Sequence, residues 1–237
     1  MPIPVRRTTR SRDDGSSGRR EMRKTAERNT GNVPVQGVEG KSLTLPDASR
    51  RSRVSLEETL AARRSVRHYA SRPLTLDEIS QLFWACQGVT DGDGGRTAPS
   101  AGALYPLETW LVANRVHGLE PGIYRYTPGA CQLIRHAGGD FASLLARAAS
   151  GQAWMAGAPA VIVLAAVVAR TAAKYGSRAE RYVWMEVGHA AQNVYLQAEA
   201  LGLGTVVVGA FDDKAVLEVL DMPASQAPMV LMPVGHR

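Results

Sequence analysis

From Arg178 to Leu201 the chain keeps an unbroken helical period, with Val183, Val187, Ala191, Val194, Ala198 and Leu201 forming one apolar stripe. At 1.5 Å per residue such a helix runs about 35 Å, the width of a small domain. Tyr182, Trp184, Met185 and Tyr195 add apolar surface off the stripe, so more than one face needs cover. Shortly before it, Val161–Val168 is apolar without alternation, the pattern of a strand buried on both faces. A long helix beside such a strand, with a second face still to cover, demands a layered fold and predicts a partner copy.

The remaining elements follow from local signals. Ser55-x-x-Glu58 and Thr75-x-x-Glu78 both have the form of a capping box. The first opens a short helix to Arg64. The second opens a helix carrying Ile79, Leu82, Phe83 and Cys86 to a stop at Gly88. Thr90–Ala98 reads as a loop, and Pro99 suits the first turn of another short helix. Glu108–Asn114 predicts a strand; Gly122–Thr127 and Cys131–Arg135, about Pro128-Gly129, predict a hairpin. Asp140–Ser150 is amphipathic, Thr205–Val208 predicts a strand, Asp212–Asp221 a helix and Met229–Pro233 a closing strand. Helices and strands mix without strict βαβ alternation, which predicts an α+β fold.

The net charge of +6 suggests nucleic acid until its distribution is counted. Residues 1–53 hold 13 Lys/Arg against 6 Asp/Glu, whereas the rest hold 15 against 16. The body, 54–237, is therefore neutral, and the basicity belongs to an arm. That arm lacks aromatic residues and is rich in Arg, Ser, Thr and Gly, a composition that predicts disorder. An electrostatic tether to nucleic acid or an anionic membrane is the alternative, and a start at Met22 a third. No apolar run nears the roughly 20 residues of a spanning helix. Cys86 and Cys131 make no disulfide framework, and no signal-peptide core is present, so the expectation is a reduced, cytoplasmic protein.

Several motifs carry chemistry. Gly202-Leu-Gly204 with Gly209 lies after a helix and before a strand, the reverse of a dinucleotide fingerprint, and no P-loop occurs. Glu186-x-x-His189 is half of a di-iron signature that needs two copies and two further helical glutamates, so no metal is expected. Arg63-Arg64-Ser65-Val66-Arg67 gathers three guanidinium groups and a hydroxyl. Helix capping explains Arg63 and Arg64, while Ser65 and Arg67 lie beyond the helix and suit a phosphate. The small residues from Arg96 to Pro106 let a flat ligand approach the backbone. Lys174-Tyr175, between the buried strand and the long helix, is either a solvated pair or, beside a desolvated pocket, an acid/base.

In combination these pieces resemble the FMN-dependent nitroreductase superfamily over residues 54–237. Arg63–Arg67, Pro99-Ser-Ala-Gly102 and Gly202-Leu-Gly204 leading to Gly209-Ala210 stand in that family's order. Within it, the chain is most similar to the SagB-type dehydrogenases, which oxidise thiazolines and oxazolines in ribosomal peptides. Pro99–Pro106, Lys174-Tyr-Gly176, Arg181-Tyr182, Gly188–Asn193 and Pro233-Val-Gly-His236 carry that narrower likeness. The resemblance implies an α+β homodimer, a mixed sheet packed between helices, and FMN at the subunit interface. It implies that Arg63, Arg64, Ser65 and Arg67 hold the phosphate and ribityl chain. Pro99, Ser100, Ala101 and Gly102 would line the isoalloxazine, with the backbone at Val208 and Gly209 near its reactive edge. Lys174 and Tyr175 match a Lys-Tyr pair implicated in taking the substrate proton while hydride passes to flavin N5.

Ala103 stands where generic nitroreductases often have Asn, and Arg237 would sit beside its own carboxylate in any phosphate contact. The long partner-binding extension of many peptide-tailoring members is absent unless residues 1–53 replace it. The expectation is an FMN oxidoreductase acting on azoline rings of a peptide or small substrate, with a cyclodehydratase partner left open. An NAD(P)H-dependent nitroreductase and a nucleic-acid-binding module are the alternatives.

Overall fold

The computed structural model describes residues 40–237. In chain order its strands are β1 (Ser42–Thr44), β2 (Leu107–Ala113), β3 (Gly122–Thr127), β4 (Gln132–Gly138), β5 (Ala160–Ala166), β6 (Leu203–Thr205) and β7 (Ala227–His236). Its helices are α1 (Leu56–Ala62), α2 (Leu76–Gln87), α3 (Ala142–Ala148), α4 (Val168–Tyr175), α5 (Ala179–Ala200) and α6 (Asp213–Leu220). The strands form one sheet in the order β1-β4-β3-β2-β5-β7-β6.

Every residue of β5 is buried, because both faces of the sheet are covered. Ile162 and Leu164 face one core with Ile79, Leu82 and Phe83 of α2 and Val183, Val187 and Val194 of α5. Val161 and Val163 face the other, with Leu145 of α3 and Val216 and Leu220 of α6. The α+β expectation therefore holds. The two capping boxes also form, Ser55 with Glu58 and Thr75 with Glu78, and each fixes the start of a helix.

Four local readings change. A mixed sheet was implied, but every ladder is antiparallel, and parallel pairing survives among the described residues only as the isolated bridges Ser65↔Thr205 and Leu74↔Val116. Short connections link β2, β3 and β4, and antiparallel neighbours need no crossover. The arm was expected to run to residue 53, yet Ser42–Thr44 pairs with β4 and Leu45 is buried. Ser49 N–H donates to Gln81 Oε1 at 2.8 Å, and Gln81 Nε2 returns to Ser49 O at 2.9 Å. Residues 40–53 thus belong to the body; residues 1–39 of the expected arm lie outside the described residues. Between β5 and α5, where the sequence predicts a strand to Val168 and no further element before the long helix, α4 starts at Val168, runs to Tyr175 and ends at Gly176, whose φ is +54°.

The fourth change concerns β6, expected at Thr205–Val208 and found at Leu203–Thr205. The segment after α1 runs alongside it, with Val66 N–H donating to Thr205 O at 2.9 Å. A Cβ on Gly204 would stand 2.6 Å from Val66 Cγ1, so only glycine lets the two backbones approach this closely. Val206–Val208 then leaves the ladder, and Val208 keeps only a bridge to Leu231. Among the described residues, no helix is long and apolar enough to cross a membrane.

Candidate functional site

The sequence-predicted residues gather into two clusters. In the first, Ser65 and Val66 lie extended beside Thr205, held by that parallel bridge. The Ser65 hydroxyl is 3.3 Å from Tyr195 Oη, which also accepts Val207 N–H at 2.8 Å. The Arg63 guanidinium lies over the Tyr195 ring at 5.3 Å, and Arg67 approaches the Trp154 ring at 6.0 Å. Among the described residues neither arginine has a carboxylate partner, which leaves both charges available to an anion. Arg64 differs: its Nη1 donates to Ala61 O at 3.0 Å and Arg63 O at 2.8 Å, capping α1. The capping explanation thus accounts for Arg64. Arg237, at the chain's end, pairs with Glu199, one turn beyond Tyr195 on α5.

Val208 and Gly209 join this cluster through Tyr195 and the neighbouring Val207. Val208 exchanges both backbone hydrogen bonds with Leu231, at 2.8 and 3.0 Å, which fixes the chain just before Gly209. Gly209 is exposed, with no atom within 4 Å of where a Cβ would stand. The arrangement is a rigid edge opening onto free space.

In the second cluster Pro99–Gly102 forms a tight turn, with a 3-10 helical stretch at Ala101–Ala103. Gly102, Ala103 and Tyr105 have positive φ values of 64°, 54° and 45°. Two of these are not glycine, so the turn stores strain that its surroundings must hold. They do so with side chains. Tyr105 N–H donates to Ser100 Oγ at 2.9 Å, Arg170 Nη1 donates to Tyr105 O at 2.6 Å, and the Arg96 guanidinium covers the Tyr105 ring at 4.4 Å.

Lys174 and Tyr175, far away in sequence, come to this turn. A Cβ on Gly102 would meet Tyr175 Oη at 2.7 Å and Lys174 Nζ at 3.0 Å, so both reactive ends converge on the Gly102 backbone. Tyr175 is braced edge-on by Tyr182 at 5.0 Å. Lys174 is exposed, so this chain alone does not supply the desolvation that the acid/base reading invokes.

Next to the turn lies a cavity of about 270 Å³, lined by Pro99, Ser100, Ala101, Tyr182, Met185, Glu186 and His189. Glu186 was read above only as half a metal signature. It is 2% exposed and sits on the buried face of α5 beside Val183, Val187 and Ala190. Burial pushes its carboxyl above the ordinary glutamate range, while the Ser100 hydroxyl and the Arg96 and Arg170 guanidiniums pull it back. Its spacing on the apolar stripe was the signal that could have marked it. Tyr195, which ties Ser65 to Val207, was visible only as an apolar residue off that stripe.

The two clusters do not meet within one chain. Glu186 belongs to the second and Tyr195 to the first, nine residues apart on α5. Nine residues of helix is about 14 Å and a rotation of about 180°, so the clusters lie on opposite faces.

Residues 60–236 match a family model described as the nitroreductase family. A protein named as nitroreductase MJ1384 in Methanocaldococcus jannaschii is 48% identical over 195 residues, 82% of this chain and 96% of that one. The Microcin B17-processing protein McbC of Escherichia coli is 28% identical over 150 residues, 61% of this chain and 55% of McbC. Among solved structures, a protein named as a nitroreductase from Anabaena variabilis gives a TM-score of 0.73 at 32% identity, over 83% of this chain and 41% of that one. The NADPH:FMN oxidoreductase of Vibrio harveyi, complexed with NAD+, shares the fold at a TM-score of 0.56 and 23% identity, over 76% of this chain and 68% of that one.

Proposed function

The chain belongs to the nitroreductase family and is an oxidoreductase; on that premise we propose that it works with FMN, bound between two copies, to oxidise azoline rings of a peptide or related small substrate. The residues present fit such a cofactor. Arg63 and Arg67 offer charge that is unpaired among the described residues, and Ser65 a hydroxyl, which suit the phosphate and ribityl chain. Pro99–Gly102 presents small side chains to a planar ring, and Gly209 leaves an open edge. Since these groups sit on opposite faces of α5, the turn of one copy would complete the arginine cluster of the other. FMN, when bound, supplies the acceptor for a hydride.

The protein must supply the rest. On oxidation an azoline ring loses a proton from one carbon and a hydride from its neighbour, and Lys174 Nζ and Tyr175 Oη are the groups proposed to take the proton. Their convergence on Gly102 is the observation that carries this reading. Closure by a substrate or a second copy would exclude water from the exposed lysine. The likeness to McbC favours a peptide substrate and leaves room for a cyclodehydratase partner. Two unpaired cysteines, Cys86 buried and Cys131 half-buried, fit a reducing, cytoplasmic setting.

The experiment combines an ultraviolet–visible spectrum of the purified protein with turnover of an azoline peptide. Lys174→Ala with Tyr175→Phe should keep flavin content and Tm, and cut azoline oxidation on the order of 100-fold. Wild-type oxidation by the double mutant overturns the role. A second reading, an NAD(P)H-dependent nitroreductase, is favoured by the 48% identity to a protein of that name. Fast anaerobic bleaching of the flavin by NADPH, with no azoline oxidation, would select it.

A further inference from the structure

Glu186 is the one charged residue on the buried face of α5, and the proton abstraction above makes no use of it. Among the described residues its Oε1 has no hydrogen-bond partner. An unpartnered carboxyl oxygen at such depth is costly, so its presence calls for a reason. The residue lines the cavity together with Ser100, whose hydroxyl pulls the carboxyl back toward the ordinary range. A hydroxyl can accept two hydrogen bonds and donate one. Tyr105 N–H fills one accepting position of Ser100 Oγ at 2.9 Å. A protonated Glu186 would donate to the other, which would leave the Ser100 proton for whatever occupies the cavity.

We propose that Glu186 is a proton-holding group of this site, delivering its proton through the Ser100 hydroxyl to a cavity-bound ligand whose oxygen or nitrogen gains negative charge when a hydride donor, such as a reduced flavin, reduces it. The transfer balances simply. The O–H bond of Glu186 breaks as one forms on Ser100 Oγ, and the original Ser100 O–H breaks as its proton bonds to the ligand atom. Glu186 is left as a carboxylate, which then accepts from the Ser100 hydroxyl and is recharged by a solvent proton. Arg96, from the loop before the turn, and Arg170, from α4, favour that carboxylate. Arg170 also pairs with Glu108 of β2 at 2.7 Å, while Arg96 donates to Gln87 of α2 at 2.8 Å and acts on Cys86 beside it. Tyr182 and His189 of α5 complete the titratable surroundings. The inference rests on the Pro99–Gly102 turn being part of the active site. It supplies an acid there, as Lys174 and Tyr175 supply a base.

The first test needs no flavin. The full chain, labelled with ¹³C at glutamate carboxyls, is titrated by NMR, and Glu186→Gln assigns the resonance. Glu186 should titrate above the exposed glutamates, and Ser100→Ala should move it higher still, because the hydroxyl stabilises the carboxylate. Titration among the exposed glutamates, or no response to Ser100→Ala, overturns the relay. A colourless protein would defeat the proposed function and leave this result standing.

The second test uses flavin-loaded protein, reduced with dithionite and reoxidised by a quinone. Glu186→Gln and Ser100→Ala should each slow reoxidation on the order of 100-fold. Both should also abolish the wild-type fall in rate as pH rises through the Glu186 titration, with KM little changed. A wild-type pH profile in either variant overturns the proposal even if flavin and azoline oxidation are intact.

Discussion

At the scale of single residues, Gly102 links the turn to the reactive pair. Gly102→Ala would place a methyl group 2.7 Å from Tyr175 Oη and 3.0 Å from Lys174 Nζ, at a φ of +64°. The conformation costs an L-residue roughly 1–2 kcal/mol. The clashing atoms are side-chain ends that can swing aside, so Gly102→Ala should fold, lose a few degrees of Tm and lose azoline oxidation as completely as Lys174→Ala. Full activity in a folded Gly102→Ala would show that the convergence is incidental. Glu186 gives a prediction of opposite kind. Burial raises its carboxyl in the folded state, so the native protein holds a proton that the unfolded chain releases. That contribution is present below the ordinary glutamate range and is lost as pH rises through the raised value. Glu186→Gln should therefore be less sensitive to pH across that window in urea titrations, and equal pH slopes would rule the shift out. These residues also mark how far the sequence could be read. Ser65, Arg67, Pro99 and Lys174 carry motifs, whereas capping explained Arg63 and Arg64 alike until hydrogen bonds to Ala61 O and Arg63 O kept Arg64 at the helix end and left Arg63 over Tyr195.

Elements differ in legibility according to whether local or distant forces make them. Helix α2 was visible because its capping box, its apolar period and its stop all lie within the segment. Helix α4 was not, because Val167 and Val168 extend the β-type run of β5 and hide the switch of period. Strand β7 continues through Pro233 and Gly235, residues that argue locally against a strand, because the ladders to β5 and β6 override them. Strand β1 is only three residues long and owes its existence to β4. A truncation series tests that last point. Removal of residues 1–39 leaves β1 in place and sets the reference Tm. Removal of residues 1–53 should also strip β1 and expose the partners of Leu45, a side chain whose burial is worth about 1.5–3 kcal/mol. The longer deletion should lower Tm by several degrees in calorimetry. Equal Tm values for the two truncations would mean that β1 contributes nothing to the fold.

For the whole molecule, the decisive fact is that the two clusters face away from each other across α5 while large apolar residues stay exposed. Leu56 and Leu60 of α1 are 59% and 52% exposed, and Trp184 and Met185 of α5 are 49% and 54% exposed. Met185 also lines the cavity beside the turn, so the cavity opens onto that apolar surface. A two-fold dimer is self-complementary, and one interface would pair each cluster with its complement twice, giving two complete sites. Such an interface needs about 800 Å² from each copy, which the exposed faces of α1 and α5 would help to provide. Leu56→Glu with Leu60→Glu places charge on the α1 part of that surface without touching a proposed cofactor contact. Light scattering should then report a monomer where the proposed wild-type dimer would give twice the chain mass, and flavin should be lost with the dimer, because on the proposed arrangement each chain would keep only half a site. A flavin-bearing monomer, in the wild type or the variant, would show instead that one chain brings its two clusters together, and the shared-site account would have to be abandoned.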